Sequence, residues 1–398
     1  MIKSETPNEV LLKQIRNQFN EKIKDKRYGK LMSLRKELLG YMYLVMSENV
    51  VVADFIRSDG RESEEVLKEA HNLPLPFNNQ FNWEVILSGS LMIIRYHHSL
   101  ADVISAYNIF SDLFCKPNPL KDAYANKLLS SLNIKNLSCK RNIALNTKDR
   151  RTVFYRDCYE GNSTAFICEN NERFVKKIKI ISKNTNSTFL AILLSCYSAS
   201  LSKVIEARQD ELPKYLSCIC PRQIDIPRLA KLLSNKACYE FGNKFCGLIV
   251  KIPIRSKDYD MLERLRLTKE YLKNSMESHM VKLGYLCGIY FFRVFPIPLL
   301  RFVFGRFKLT SGVSCVPGGP KLELFNGDTI ENQFFLINHL DQVCLSLSIL
   351  TYDDRLQLGI IGSKDEQLNQ VLNGIFHAID QLYVEAQIRI TTDSTVTC

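Results

Sequence analysis

A change of hydrophobic period near residue 97 sets the strongest limit on the fold. Two short apolar runs, Trp83 to Leu87 and Leu91 to Tyr96, are separated by a Gly-containing turn and predict a β-hairpin. From Ala101 to Leu113 the apolar residues recur instead with the period of ~3.6 that is typical of a helix, with Asp102 near its start. A strand that passes almost directly into a helix indicates a mixed α/β architecture. Predicted strands and helices also alternate in both halves of the chain, which indicates the same architecture.

The length of the chain predicts two domains. Its 398 residues exceed the ~100–200 residues of a usual domain. Hydrophobic residues make up 46% of the sequence and charged residues 24%, which excludes an intrinsically disordered chain. The polar and basic stretch from Lys116 to Arg151 predicts the connection. We therefore place one domain at residues 1–150 and the second at 151–398.

The apolar pattern predicts several further elements. An N-terminal helical segment is expected to run to about Leu39. The stretch from Ser187 to Ala207 is interpreted as a buried helix, because no segment offers the ~20 predominantly apolar residues of a membrane span. The other expected strands lie in Tyr41–Ile56, Leu216–Cys220, Gly247–Ile254, Val343–Leu350 and Arg355–Ile361, and the other helices in Asp59–Ala70, Tyr259–Met280 and Gln367–Ala386.

The net charge of +11 leaves several kinds of partner open. Nucleic acid, an anionic membrane face and a phosphate-bearing small molecule all fit such an excess. Residues 1–40 contain ten Lys or Arg and five Asp or Glu. We interpret these cations as the solvated basic face of a packing helix and not as a binding patch. No RNA- or DNA-binding motif is present, so we expect no nucleic-acid partner.

The cysteines indicate a reducing compartment. The 13 Cys are spread over the whole length without CxxC pairs, so we expect free thiols and no zinc site. The first residues contain no apolar core of a secretory signal peptide. An intracellular protein is therefore expected.

The motif HHSLAD, His97 to Asp102, carries the candidate chemistry. A neutral imidazole is a natural general base for an alcohol or thiol near neutral pH. Because side chains alternate along a strand, His97 and His98 are not both expected to face one cavity, so one reaches a substrate and the other packs. A hydrogen-bonded pair of core histidines is the structural alternative, and it applies to most HH pairs.

Asp102 has two structural roles open to it. Its carboxylate either pairs with an Arg from elsewhere or caps the first turn of the following helix. Metal binding is the weaker alternative for the histidines, since no third ligand stands at a suitable spacing. The sequence contains neither a GxSxG nucleophile motif nor a GxGxxG or Walker-type phosphate loop.

The segments around this motif resemble a known family. LPLPFNNQFNWEVIL and LMIIRYHHSLADVISAYNIFSDLF, followed by FGNKFCGLIVKIP, SCVPGGPKLELFNG and CLSLSILTYDDRLQLGIIGSKD, are similar in order and character to the HHxxxD acyltransferases of the chloramphenicol-acetyltransferase-like fold. Within that group they resemble the bifunctional wax ester synthase/diacylglycerol acyltransferases. The similarity extends over roughly residues 30 to 386.

The resemblance implies both a fold and a reaction. It implies a sandwich of two α/β domains with a channel between them and His98 at its centre. The implied reaction is transfer of a fatty acyl group from acyl-CoA to a long-chain alcohol or diacylglycerol, with His98 as general base and with His97 and Asp102 shaping the turn. Gly242 and Asn243 are implied as binding residues for coenzyme A. No bound cofactor or metal is implied, because acyl-CoA is a co-substrate.

The resemblance also implies a place in the cell. A peripheral position on a membrane, at the endoplasmic reticulum, the plasma membrane or a lipid droplet, or a cytoplasmic position would suit lipid substrates. Residues Gly288 to Phe307 combine aromatic and aliphatic side chains with three Arg and suit an interfacial segment, with core packing as the alternative. Pro296 and Pro298 exclude one straight helix across this stretch.

The chain differs from the family pattern at several positions. The Gly that closes the motif is Val103 here, an Asn-Asp pair is replaced by Leu190 and Ala191, and an Asn is replaced by Cys315. The first strand of the family, before the initial helix, is expected to be missing. These differences leave open a non-catalytic acyl-CoA or lipid-binding relative. A condensation-type enzyme that acts on carrier-bound acyl groups is a third interpretation, although no carrier domain is evident.

Overall fold

The structure of the chain is a computed structural model. The structure describes residues 1–3, 6–47, 51, 55–73, 75, 81–123, 149, 152–154, 163–208, 212–223, 241–243, 245–255, 260–278, 295–304, 309–337, 343–362 and 365–396. Three segments singled out in the sequence lie largely or partly outside the described residues. They are the expected connection at 116–151, the segment Gly288–Phe307 and part of Tyr41–Ile56.

A six-stranded mixed sheet organises the C-terminal half. Its order is β7-β13-β12-β10-β8-β9, where β10 runs parallel to β8 and β12 and the outer neighbours are antiparallel. The strands are β7 (Ser163–Cys168), β8 (Tyr215–Gln223), β9 (Phe245–Pro253), β10 (Leu309–Gly319), β12 (Val343–Tyr352) and β13 (Arg355–Gly362).

Helices cover one face of this sheet. They are α4 (Arg173–Thr185), α5 (Phe189–Glu206), α6 (Met261–Met276) and α8 (Asp365–Val396). Alternate strand residues such as Leu347, Ile349 and Leu358 pack into the core beneath these helices. The expected strands and helices of this half are confirmed, although the last helix is longer than Gln367–Ala386.

Helix α5 is buried despite its many Ser residues. Ser198, Ser200 and Ser202 donate their hydroxyls to backbone carbonyls of neighbouring elements, so no polar group of theirs is left unsatisfied in the core. Among the described helices α5 is long and apolar enough to cross a membrane, and 78% of that window is buried inside the protein. The expected buried helix is therefore confirmed.

In the described residues, the N-terminal half contains smaller sheets, three α-helices and one 3-10 helix. Strand β4 runs parallel to β5, which forms an antiparallel hairpin with β6, and β2 pairs with β3. The elements are α1 (Asn8–Lys22), a 3-10 helix (Lys26–Met32), β2 (Ser33–Leu38), β3 (Tyr41–Met46), β4 (Ile56–Ser58), α2 (Ser63–Asn72), β5 (Trp83–Ser88), β6 (Leu91–Tyr96) and α3 (Val103–Phe114).

Two expectations for the N-terminus are wrong. The helix does not continue to Leu39, because α1 ends at Lys22 and the chain then forms a 3-10 turn and strand β2. A strand does precede the first helix. It is β1 (Ile2–Lys3), and it pairs antiparallel with β11 (Thr329–Ile330) from far along the chain.

The core of the N-terminal half includes residues from the C-terminal half. Trp83, Phe19 and Phe114 pack in the same cluster as Leu324 and Tyr352. The hydroxyl of Tyr352 accepts a hydrogen bond from the amide of Leu322 at 2.9 Å, which fixes this segment. A domain boundary at residue 150 stays a prediction, but the two halves share this core.

Helix α7 (Ile297–Phe304) starts beside the β2–β3 hairpin. The amide of Ile297 donates to the carbonyl of Gly40 at 2.8 Å. A Cβ atom on Gly40 would lie 3.5 Å from Pro296 and from Pro298, so the helix start rests against the hairpin turn.

Candidate active site

The histidine pair stands on a tight turn at the end of β6. The amide of His97 donates to the carbonyl of Asn82 at 2.7 Å, which continues the hairpin one residue past Tyr96. The amide of Leu100 then donates back to the carbonyl of His97 at 2.9 Å and reverses the chain. In this turn the side chain of His98 is exposed and that of His97 is partly buried.

Asp102 caps the helix that follows. It is the N-cap of α3, and its Oδ1 accepts hydrogen bonds from the amide of Ser105 at 2.9 Å and from the Ser105 hydroxyl at 2.6 Å. The residue is buried, so the carboxylate is held in place. The cap, one of the two roles expected for Asp102, is thus present.

The 3-10 helix holds the turn from one side. Lys30 donates from Nζ to the carbonyls of Leu100 at 2.9 Å and of Ser99 at 3.3 Å. Its ammonium also lies 5.8 Å from the centre of the Phe241 ring. One flexible side chain therefore fixes the backbone immediately after His98.

The segment before β9 holds the same turn from the C-terminal half. Asn243 donates from Nδ2 to the carbonyl of His98 at 2.8 Å, and the amide of Asp102 donates to the carbonyl of Gly242 at 3.0 Å. The ring of His98 lies 5.5 Å from that of Phe245, tilted by 54°. The exposed imidazole is thus placed where the two halves of the chain meet.

His97 is held neutral inside this arrangement. Its Nδ1 accepts a hydrogen bond from the amide of Ser99 at 3.2 Å and lies 2.8 Å from the Ser99 hydroxyl. With both donors at Nδ1, we assign the ring proton of the neutral form to Nε2. Burial, reinforced by the positive charges of Arg35 and His98, lowers the pKa of His97 to about 4.

The structure brings all five predicted residues together at one turn. Gly242 and Asn243, expected from the resemblance to bind coenzyme A, contact the backbone of the motif. Sequence reasoning missed Lys30, because it stands outside any motif and reaches the turn only through the tertiary fold. It also missed the buried Arg35 on β2.

The departures from the family pattern are accommodated locally. Val103 is the first residue of α3 and has no positive φ, so its backbone does not require glycine. Thr188 caps α5 by accepting from the amide of Ala191 at 3.2 Å, while Leu190 packs against the core. Cys315 stands on β10, and burial raises the pKa of its thiol to about 12.

The described ranges offer no ready metal site. No group of three His, Cys, Asp or Glu side chains in them is arranged to hold a metal ion. The groups available for chemistry at the turn are the imidazoles and their hydrogen-bond partners.

Solved structures with the same fold include two acyltransferases and an epimerization domain. The wax ester synthase/diacylglycerol acyltransferase from Marinobacter aquaeolei VT8 aligns with a TM-score of 0.60 at 16% identity, over 96% of this chain and 92% of that one. The trichothecene 15-O-acetyltransferase TRI3 from Fusarium sporotrichioides gives 0.60 at 11% identity, over 94% and 87%. The epimerization domain from the third module of tyrocidine synthetase B gives 0.57 at 13%, over 97% and 91%.

These alignments show that the chain has the two-domain mixed α/β fold of the chloramphenicol-acetyltransferase-like and condensation-like proteins, as the sequence predicted. None of the curated proteins matches the chain by its sequence. Residues 241–382 match the family model described as the WS/DGAT C-terminal domain. This match assigns a WS/DGAT C-terminal domain to residues 241–382, which are less than half of the chain. It supports the predicted enzyme class, an acyl-CoA-dependent O-acyltransferase.

Proposed function

We propose that this protein transfers a fatty acyl group from acyl-CoA to the hydroxyl of a long-chain alcohol or of diacylglycerol, with His98 as the general base. The observation that carries the proposal is the placement of His98. Its imidazole is exposed on a turn fixed by Lys30 from one side and Asn243 from the other. A rigidly held base where two halves of a protein meet can act on a substrate bound between them.

The proposed reaction needs one proton to move twice. His98 takes the proton of the acceptor hydroxyl while its oxygen attacks the thioester carbonyl and forms the new C–O bond. The C–S bond then breaks, and the imidazolium returns the proton to the departing thiolate. Ester and free coenzyme A are the products. Because the acyl group passes directly to the acceptor, no covalent acyl-enzyme forms.

The neighbouring groups support this role for His98. With its pKa near 4, His97 stays uncharged at neutral pH, so it does not add a second positive charge beside the imidazolium. Asp102 and Asn243 hold the backbone of the turn and act as positioning residues. Gly242 and Asn243 also remain candidates for contact with coenzyme A.

The partners follow from the substrates. The net charge of +11 supports attraction of the coenzyme A phosphates and of an anionic membrane. An intracellular, peripheral position on a membrane or a lipid droplet would bring the enzyme to acceptors that do not dissolve in water.

The test is an acyl-transfer assay with radiolabelled palmitoyl-CoA and a panel of acceptors. We expect labelled ester with hexadecanol or diacylglycerol from the unmodified chain. In the His98→Ala variant the rate should fall at least about 100-fold, the usual contribution of a general base. The urea unfolding midpoint should be unchanged, because the His98 side chain is exposed.

His97→Ala is the matched control. Removal of this partly buried ring should lower the unfolding midpoint, and any loss of rate should follow that change. Unchanged activity of the His98→Ala protein would contradict the proposal. Binding of palmitoyl-CoA without ester from any acceptor would favour the non-catalytic relative instead.

A further inference from the structure

Three polar side chains with unpaired atoms are buried at the sheet face opposite the helices. Gln357 on β13 is 0% exposed and Ser348 on β12 is 1% exposed. Within the described ranges, both polar atoms of the Gln357 amide, the Ser348 hydroxyl and Oε1 of Gln333 lack a hydrogen-bond partner. Because an unpaired buried polar group destabilises a fold, a group of them indicates a ligand that pairs with them. We call Gln333, Ser348 and Gln357 the polar cluster.

The segment after β11 brings Gln333 level with Gln357. It follows β13 in the same direction, and two contacts fix its position. They are the hydrogen bond from Arg355 to the Glu331 carbonyl and the approach of the Phe335 carbonyl to 2.8 Å from the position of a Cβ atom on Gly359. Four residues separate these contacts on each strand of chain, so Gln333 lies beside Gln357 between them.

The polar cluster and the catalytic turn lie on the same face of the sheet. Phe245, whose ring is 5.5 Å from that of His98, points away from the helices, because the next residue, Cys246, packs beneath them. Phe245 and Gln357 also stand at the same level of the sheet. The registers that show this are Phe245–Gln223, Ile219–Gly312, Val316–Leu350 and Leu350–Gln357. Since β9 and β13 are four strand spacings of about 4.8 Å apart, about 19 Å separates them.

Small residues line this face between the catalytic turn and the polar cluster. They are Gly247 on β9, Gly312 and Ser314 on β10 and Ser348 on β12. A glycine inside a strand is typical of a place where another group approaches closely. Since a carbon–carbon bond of about 1.5 Å adds about 1.25 Å to an extended chain, about 15 carbons cover the distance between β9 and β13. A chain of this length on these residues would have one end at His98 and the other at the polar cluster.

We propose that the polar cluster binds a hydroxyl group at the far end of a long-chain substrate whose other end reacts at His98. The three side chains are uncharged and offer both donors and acceptors, as a hydroxyl does. The nearby cation, Arg355, is paired with Asp353 and with the backbone of Glu331, so no free charge favours an anion. Both amides of the pantetheine arm lie much closer to the sulfur of coenzyme A than the cluster lies to His98. The inference rests on the proposed function, because it names the substrate class of the same site.

The experiment compares kcat/KM for substrates with and without the terminal hydroxyl. One arm uses 16-hydroxypalmitoyl-CoA against palmitoyl-CoA, and the other uses 1,16-hexadecanediol against hexadecanol as acceptor. The corresponding twelve-carbon pairs are the reference, because their hydroxyl does not reach the polar cluster. In one arm we expect the preference for the hydroxyl to be roughly tenfold larger at sixteen carbons than at twelve, the effect of hydrogen bonds to a buried amide. That arm identifies the acyl donor or the alcohol as the hydroxylated substrate. Equal preferences at both lengths in both arms would overturn the proposal.

Gln357→Met tests the amide directly. Met has a similar volume and no hydrogen-bonding amide, so the extra preference at sixteen carbons should disappear. Ser348→Ala gives a second reading and should lower the preference about threefold. Gln381→Met is the matched control, since Gln381 is exposed on α8, and it should keep the preference. A preference retained in Gln357→Met would contradict the proposal. A rise in KM for every acyl-CoA, with no effect of the hydroxyl, would assign the amide to pantetheine and also contradict it.

Binding without turnover separates this inference from the proposed function. Equilibrium dialysis compares radiolabelled 1,16-hexadecanediol with hexadecanol and 16-hydroxypalmitate with palmitate. Tighter binding of a hydroxylated chain that is lost in Gln357→Met, by a protein that forms no ester, would refute the proposed function and support the polar cluster as a hydroxyl site. Ester formation with no preference for the sixteen-carbon hydroxyl would support the proposed function and overturn this inference.

Discussion

At the scale of single residues, the turn that carries His98 is held through its backbone. Four successive carbonyls, from His97 to Leu100, accept hydrogen bonds within the turn, from Lys30 or from Asn243. These donors come from both halves of the chain. The position of the imidazole therefore depends on the packing of one half against the other, and not only on the motif.

Asn243→Ala tests whether that backbone contact positions the base. Loss of one hydrogen bond to the His98 carbonyl should lower kcat by about fivefold to tenfold, since such bonds contribute about 1–1.5 kcal/mol. KM for acyl-CoA should stay nearly constant if Asn243 only positions the turn. A rise in KM with kcat unchanged would show instead that Asn243 binds coenzyme A, as the family resemblance implies. Steady-state kinetics with palmitoyl-CoA distinguish these results.

At the scale of elements, the sequence predicts local structure well and pairings across long distances poorly. The β5–β6 hairpin and the start of α3 were predicted because their signals lie within about 30 residues of one another. Strand β1 has two residues, and its partner β11 lies more than 300 residues away, so no local pattern marks it. Strand β2, SLRKEL, carries three charged side chains in succession and reads as part of a helix.

The same limit applies to the candidate site. His97, His98 and Asp102 were found from the motif, because the chemistry of the residues and their spacing are visible in the sequence. The contacts of Lys30 and Asn243 with the turn form only when distant elements pack. The sequence alone therefore predicts the motif residues, whereas it does not predict the residues that hold the motif in place.

Strand β13 contains a polar side chain that the packing does not satisfy. Gln357 is fully buried on the sheet face opposite the helices, directly across from Leu350 on β12. In the part of the chain that the structure describes, neither its Nε2 nor its Oε1 has a hydrogen-bond partner. Gln357→Met should therefore raise the free energy of unfolding by about 1–2 kcal/mol, because an unsatisfied buried amide is removed at similar volume.

Urea denaturation measures the effect, with Gln381→Met as a control. Gln381 is exposed on α8 and its amide donates to Glu385, so its replacement should change stability by less than about 0.5 kcal/mol. A loss of stability in Gln357→Met would mean that the amide is satisfied in solution. A gain in stability with a loss of transferase rate would mean that the amide meets a substrate.

At the scale of the whole molecule, the N-terminal half depends on the C-terminal half for its core. The segment around Leu324 docks on the end of α3, where the amide of Phe325 donates to the carbonyl of Phe114 at 3.1 Å. The amide of Lys116 donates to the carbonyl of Glu323 at 2.8 Å, which secures the same contact. Leu324 is fully buried in the cluster that surrounds Trp83.

This shared core predicts that residues 1–150 do not fold when produced alone. Trp83 is the only tryptophan and is 1% exposed, so its fluorescence reports on this core. In the full chain its emission should be that of a buried indole and should change cooperatively in urea. In the fragment the Trp83 emission should be that of a solvated indole, without a cooperative transition, because the apolar surface against Leu324 and Tyr352 is left uncovered.

Leu324→Ala in the full chain should lower the free energy of unfolding by about 2–5 kcal/mol and shift the Trp83 transition, although the two residues are far apart in sequence. A fragment with a buried Trp83 and a cooperative transition would show that the first 150 residues form a domain by themselves.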